Sequence, residues 1–344
     1  MSFATAAAVE EQGKPEVRSV TRLRLFCAAP DGVRKWHMDE ATLTRYLKEI
    51  GRGRKAAGDL PREDAQALFA AMLAGRVPDL QLGGVLIALR VKGESLDELA
   101  GFAAACEASY LHLQPPAEIP VVIPSYNGAR QLPNLVPLLA LSLAKAGVPT
   151  LVHGVMQDPG RVATREVFAE LGIAPAASRE KAREELAARG VSFLPIDVLA
   201  PGIAGMLALR RRLGVRNSAH TLVKMLQPFA GPAVRIVSVT HPDYLVRMRE
   251  FFTKFDTGAL LLRGAEGEAV AHPRREPVME WAYGGEVVTW KEEATAAPEL
   301  PARGAKETAQ WIESVLAGKT PTPAPIQHQI ECCKRAILSL QGAR

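Results

Sequence analysis

The sequence predicts an α/β protein: a small helical domain followed by a larger α/β domain. Three observations carry this. Apolar residues recur at helical spacing over residues 39–112, and Gln114-Pro115-Pro116 then interrupts the chain. Beyond that link, short apolar runs alternate with helical stretches, which describes a sheet covered on both faces.

The elements follow in order. Residues 1–38 lack the apolar stretch of a secretory signal and read as a flexible extension. Helical patterning begins at Asp39. Pro61 suits a first helical position, and Ala65, Leu68, Phe69, Met72 and Leu73 repeat at i, i+3, i+4, i+7 and i+8 before Gly75. A second helix is predicted from about Asp79 to Lys92, burying Leu82, Val85, Leu86 and Leu89, with Gly93 closing it. Ser95-Leu96-Asp97-Glu98 is a capping box for a third helix reaching about Tyr110.

The larger domain, residues 117–320, opens with a strand at Val121-Val122-Ile123 and a helix over about 135–145 that ends at Gly147. A strand at Leu151-Val152-His153, helices over 164–171 and 178–189, and a strand at Phe193-Leu194 follow. Strands over 234–239, 259–262 and 286–290 complete the sheet, with a helix over 242–255. An Ala/Pro/Glu-rich connector precedes a helix near 307–317, and residues 321–344 read as a C-terminal tail. Trp281 and Trp290 read as packing residues.

Composition excludes several classes. With 344 residues and 48% hydrophobic content the chain can build two cores. No apolar run approaches the roughly 20 residues that span a bilayer, so no membrane partner is expected. Cys27, Cys106, Cys332 and Cys333 show no C-x-x-C spacing, so they read as reduced thiols of a cytoplasmic protein, with no metal site.

Charge is concentrated rather than spread. Residues 201–250 hold eight Lys/Arg against two acids, whereas the whole chain is only +5. Four arginines, Arg210, Arg211, Arg212 and Arg216, fall within seven residues. On one helix over 202–213 the first three fan over about 200°, which suits an extended polyanion better than one short ligand. The candidate phosphate contacts are these four with Asn217, together with Lys224, Arg130 and Arg161. The basic turn Gly51-Arg52-Gly53-Arg54-Lys55 reads equally well as a solvated loop. Aromatic residues do not interleave with the basic run, so backbone contacts are expected rather than base stacking.

Several strings resemble anthranilate phosphoribosyltransferases: Gly75-Arg76-Val77-Pro78-Asp79, Ile87-Ala88-Leu89-Arg90, Lys92-Gly93-Glu94, His153-Gly154 and the R-x-x-L-G-x-R run over 210–216. Three others, Ile123-Pro124-Ser125-Tyr126-Asn127-Gly128-Ala129-Arg130, the run over 214–221, and Thr308-Ala309-Gln310-Trp311-Ile312-Glu313, resemble a nucleic-acid-binding branch of that family, the YbiB-like proteins. The resemblance covers roughly residues 40–317. It implies the phosphoribosyltransferase III/IV fold with a central mixed sheet, a homodimer formed through the helical domain, and part of residues 197–222 packing on that domain. It also implies binding of DNA and RNA with little sequence preference.

The family's catalytic motifs are altered here. Where the enzymes carry a G-T-G-G-D phosphate loop, this chain has Ser125-Tyr126-Asn127-Gly128-Ala129, with one glycine and no acid. Asn134 matches a polar position of that loop. The K-H-G-N-R string is reduced to His153-Gly154 between Val152 and Val155. The Asp-Glu pair for magnesium aligns with Ala269 and Val270, and Glu266 and Glu268 stand out of register. These losses imply a vestigial cleft at Ser125, Asn127, Gly128, Asn134, His153 and Gly154, with no cofactor and no phosphoribosyl transfer. The alternative is a transferase on another substrate, using a rebuilt loop over 125–130.

Overall fold

Asp39 opens helix α1 (Glu40–Ile50), its carboxylate accepting from Thr42 N at 2.6 Å. The computed structural model describes residues 38–342 except 54, 256 and 294–298. The flexible extension expected over residues 1–38 therefore lies outside the described residues, save Met38, as do Cys27 and Arg54. Helices α2 (Arg62–Leu73), α3 (Asp79–Lys92) and α4 (Leu96–Glu107) complete the helical bundle. The predicted stripe of α2 is buried, and its Phe69 stacks on Phe102 of α4 with ring centroids 4.8 Å apart. Pro61 stands just ahead of α2 rather than inside it, because its ψ of 152° is extended. Helix α4 stops at Glu107, short of Tyr110, whose hydroxyl turns back to donate to the Glu107 carboxylate at 2.7 Å.

The capping box forms as expected and does more than cap. Ser95 Oγ accepts from Glu98 N, and Glu98 Oε2 accepts from Ser95 N at 2.7 Å. The same buried carboxylate also takes Lys92 Nζ at 2.6 Å and Leu60 N at 3.0 Å, tying three segments of the bundle together.

Past the Pro115-Pro116 link, the chain alternates β1 (Val121–Ser125), α5 (Val136–Lys145), β2 (Thr150–Gly154), α6 (Thr164–Glu170), α7 (Arg179–Arg189) and β3 (Val191–Pro195). Four short helices follow: α8 (Ile196–Leu199), α9 (Pro201–Ala208), α10 (Arg210–Leu213) and α11 (Ala219–Leu222). Then come β4 (Val234–Val239), α12 (Pro242–Phe255), β5 (Ala259–Arg263), β6 (Val278–Tyr283), β7 (Glu286–Lys291), α13 (Ala305–Leu316) and α14 (Ala324–Gly342). The seven strands form one mixed sheet in the order β3-β2-β1-β4-β5-β6-β7, parallel through β5 and antiparallel at β6 and β7.

Strand residues alternate between two cores, as the period of two requires. Val121, Ile123 and Val152 face the layer of α5, α6, α13 and α14, whereas Val122, Leu151 and Val237 share a core with the helical bundle. Helix α9 packs on α2 within that second core.

Two elements depart from the sequence expectation. Strand β6 has no counterpart there, because Glu280 interrupts its apolar run. The structure accommodates this charge by pairing Glu280 with Arg249 through two hydrogen bonds, at 2.9 and 2.5 Å. The expected tail, residues 321–344, contains α14, which buries Ile326, Ile330, Cys332, Cys333 and Ala336. Cysteines serve there as small apolar core residues. Trp281 is buried, and Trp290 lies under the Arg335 guanidinium at 5.9 Å. Among the described residues no helix is long and apolar enough to cross a membrane.

Candidate nucleic-acid interface

The arginine run is not one helix. The chain breaks at Leu209 between α9 and α10, and Gly214 (φ 72°) closes α10 with its N–H on Arg210 O at 2.9 Å. Only glycine enters that left-handed turn without strain. The turn throws Arg216 back between the domains, where its Nη2 donates to Asn127 Oδ1 at 2.7 Å. Arg90, in the last turn of α3, donates to the Arg216 carbonyl at 3.0 Å.

Arg216 is half-buried, and its pKa is pushed down, first by desolvation and then by the cations of Arg210, Arg161 and Arg90. Asp158 is the acid that opposes this, lying 4.0 Å from Arg210 and 3.8 Å from Arg161. Arg90, Arg161 and Arg210 thus act on Arg216 together against one opposing acid, an arrangement that leaves net positive potential there. Arg210 and Arg211 also line a cavity of about 550 Å³ with Tyr126, Met156 and Asp158. Arg212 points elsewhere, pairing with Asp79 at 3.1 Å. Both side chains of that pair are mostly exposed, so it holds Arg212 only weakly.

The remaining candidates divide. The Arg130 side chain is exposed. Arg161 is committed inward, donating to Gly128 O and lying 3.6 Å from Glu266. Lys224 donates to Gly267 O at 2.8 Å and Ser238 O at 3.3 Å, and desolvation brings its ammonium down to about 8. Asn217 is not available to a phosphate. It is buried, with its amide donating to Met206 O and its carbonyl accepting from Ala219 N, so it caps the local backbone. Arg52 of the Gly-spaced turn pairs with Glu49 at 2.9 Å, an ordinary solvated contact.

The residues expected as a vestigial cleft lie beneath the surface and are internally bonded. Ser125 Oγ donates to Thr164 Oγ1 at 2.7 Å, and Asn134 Nδ2 donates to Val162 O at 3.0 Å. The Tyr126 hydroxyl lies 2.6 Å from His153 Nδ1, and burial pushes that imidazole down to about 3, so it is neutral. Tyr126 is itself a buried phenol held protonated, which makes it the donor. Gly154 has no room for a side chain, since a Cβ there would overlap Ser125 O of the neighbouring strand.

Five backbone N–H groups of the loop between β1 and α5 end on carboxylates. Glu268 Oε1 accepts from Asn127 N at 2.6 Å and Gly128 N at 2.7 Å. Glu266 accepts from Arg130 N at 3.0 Å, and from Gln131 N and Leu132 N at 2.8 Å each. These residues do not fit magnesium. The positions aligned with the enzymes' acidic pair, Ala269 and Val270, are buried and apolar, and both nearby glutamates face N–H donors.

Sequence reasoning passed over Arg90 and Asp158 as site residues. Arg90 follows the buried Leu89 and carries no local sign of its partner, which lies 126 positions away.

Comparison with known proteins agrees with this architecture. Residues 44–109 match the glycosyl transferase family helical bundle domain. The chain is 47% identical over 295 residues to the uncharacterized protein YbiB of Escherichia coli (strain K12), covering 84% of this chain and 92% of that protein. It is 32% identical over 190 residues to the anthranilate phosphoribosyltransferase of Desulfitobacterium hafniense (strain Y51), covering 55% and 56% respectively. The anthranilate phosphoribosyltransferase (TrpD) from Thermus thermophilus shares the fold, with a TM-score of 0.68 at 22% identity over 88% of this chain and 90% of that one. The chain belongs to the anthranilate phosphoribosyltransferase-like family, in the branch that includes YbiB.

Proposed function

We propose that this protein binds DNA and RNA through their phosphate backbones, with low sequence preference and without phosphoribosyl transfer. The observation that carries the reading is the gathering of Arg90, Arg161, Arg210 and Arg216: Arg90 donates to the Arg216 carbonyl, and Arg161 and Arg210 both lie within 4.0 Å of Asp158. Such a cluster is costly to hold without an anionic partner, and arginine's planar fork suits phosphate oxygens. Exposed Arg211, Arg212 and Arg130 extend the cationic surface beyond what a small anion would cover.

Transfer of a phosphoribosyl group has little support in the residues present. The donors of the old phosphate loop already have internal acceptors, His153 is a buried neutral ring, and no acidic pair stands at 269–270. Homodimerisation through the helical domain belongs to the same proposal and would double the cationic surface.

The test is a binding series with labelled single- and double-stranded oligonucleotides of DNA and RNA across ionic strengths. Alongside it, a thermal shift is measured with phosphoribosyl pyrophosphate and magnesium. Binding that weakens linearly in log salt, with no stabilisation by the sugar diphosphate, is the expected result. Absent binding at low salt, with strong stabilisation by the sugar diphosphate, overturns it.

A further inference from the structure

Every backbone N–H from Asn127 to Leu132 has an internal acceptor. Those of Asn127 and Gly128 end on Glu268, that of Ala129 ends on Val162 O at 3.0 Å, and those of Arg130, Gln131 and Leu132 end on Glu266. Successive N–H groups that converge on an anion make an anion receptor, and here two such groups converge on Glu268 and three on Glu266.

The two carboxylates come from the turn of Ala265–Gly267 and the residue after it. That turn is bent to deliver them. Glu266 sits at φ 52°, the one non-glycine residue with positive φ among those described. Such a conformation persists only where surrounding contacts determine it. Arg161 lies 3.6 Å behind Glu266. The second oxygen of Glu268, Oε2, is buried without a hydrogen-bond partner. Glu268 also favours the charged form of Lys224, against the desolvation that depresses it.

We propose that the chain supplies its own anion to this receptor: the Glu266 and Glu268 carboxylates sit where an inorganic diphosphate would otherwise be held. The receptor is thereby closed to small phosphate compounds, and phosphate recognition is left to the surface arginines. The inference is separable from nucleic-acid binding, because it is read at the backbone amides of residues 127–132 and not at the exposed arginines.

The experiment uses the full chain, labelled with ¹⁵N, and inorganic pyrophosphate at constant ionic strength. In the native protein the amide signals of Asn127, Gly128, Gln131 and Leu132 stay in place as pyrophosphate is added. In the Glu266→Ala/Glu268→Ala variant the same signals move, and pyrophosphate binds at least about tenfold more tightly, as recovered charge-assisted N–H bonds require. Should the double variant fail to fold, Glu266→Ala alone frees the outer donors and is read at Gln131 and Leu132. Equal movement of these signals in the native protein overturns the proposal, as does a folded variant whose signals stay fixed. Oligonucleotide affinity of the native protein is measured separately, so failure of the nucleic-acid reading is scored apart from the movement of these amides.

Discussion

Arg216 and Asn127 join the two halves of the cleft: the guanidinium donates to the amide oxygen at 2.7 Å across 89 positions of sequence. Asn127 in turn donates through its Nδ2 to Gly267 O at 2.7 Å. The pair holds the innermost arginine, while Arg210 and Arg211 are exposed.

Changing Arg210, Arg211, Arg212 and Arg216 together to Ala is expected to lower oligonucleotide affinity at least about tenfold and to flatten its salt dependence. Arg211→Ala alone should weaken binding without touching thermal stability, because its side chain is exposed and lies on the open cavity. Fluorescence anisotropy at several salt concentrations reads both. An unchanged salt slope in the quadruple variant would remove this surface from the binding reaction.

The acid side of the stability profile depends on buried histidines. His153 is pushed down to about 3 by burial, and His220 to about 4 by burial and by the Arg216 cation. In the unfolded chain both titrate near the ordinary imidazole value of about 6.5. Between that value and the folded pKa values the unfolded state binds more protons, so stability falls as pH falls through this window. His153→Gln, which keeps an acceptor for Tyr126, should lessen the slope by about 1.4 kcal/mol per pH unit, the contribution of one proton. Urea unfolding at intervals from pH 7 to pH 4 gives the slope, and identical slopes in the two proteins would contradict the assignment.

Local chemistry made much of the fold legible. Helix α3 begins at Asp79 and ends at Lys92 as its caps indicate, with Gly93 at φ 80°. The Ser178 and Gly190 caps bound α7 in the same way, Gly190 at φ 73°. Strand β6 escaped because the partner that neutralises Glu280 lies on another element, Arg249 of α12. Helix α14 escaped because it buries Gln329, whose amide bonds to Ala271 N and Ala269 O, and a polar residue there masks the stripe. The site shows the same division. Spacing revealed the arginine run, but the two carboxylates that accept from the loop over 127–132 come from more than a hundred positions away.

Glu98 is the point on which the helical bundle is most sensitive. Its carboxylate is buried and accepts from Lys92, Ser95 N and Leu60 N, while Lys92 itself is nearly buried and its pKa is raised by Asp59 and Glu98 against desolvation. Glu98→Ala leaves two N–H groups without an acceptor and the Lys92 ammonium with Asp59 alone, at a cost of about 1–3 kcal/mol. Glu98→Gln keeps an acceptor and should cost less. Chemical denaturation of both variants checks the ranking, and equal stabilities would refute it.

Helix α3 carries exposed apolar side chains that bear on the proposed dimer. Leu80 is 85% exposed, Val91 56% and Ile87 41%, although each is a large apolar side chain. Together with Gly83 and Gly84 they line a groove of about 660 Å³ shared with Leu47 and Ile50 of α1. Exposed apolar surface gathered along one helix indicates a covering partner. Leu213, next to Arg212, lines the same groove, so a second copy seated there would bring two arginine turns into proximity. The native protein is therefore expected to sediment as a dimer at micromolar concentration, and Leu80→Asp/Val91→Asp as a monomer with unchanged helix content, since neither side chain is buried. The monomer should also bind long oligonucleotides more weakly than short ones would lead one to expect, because it offers half the cationic surface. A native protein that sediments as a monomer removes the dimer and the doubled surface together.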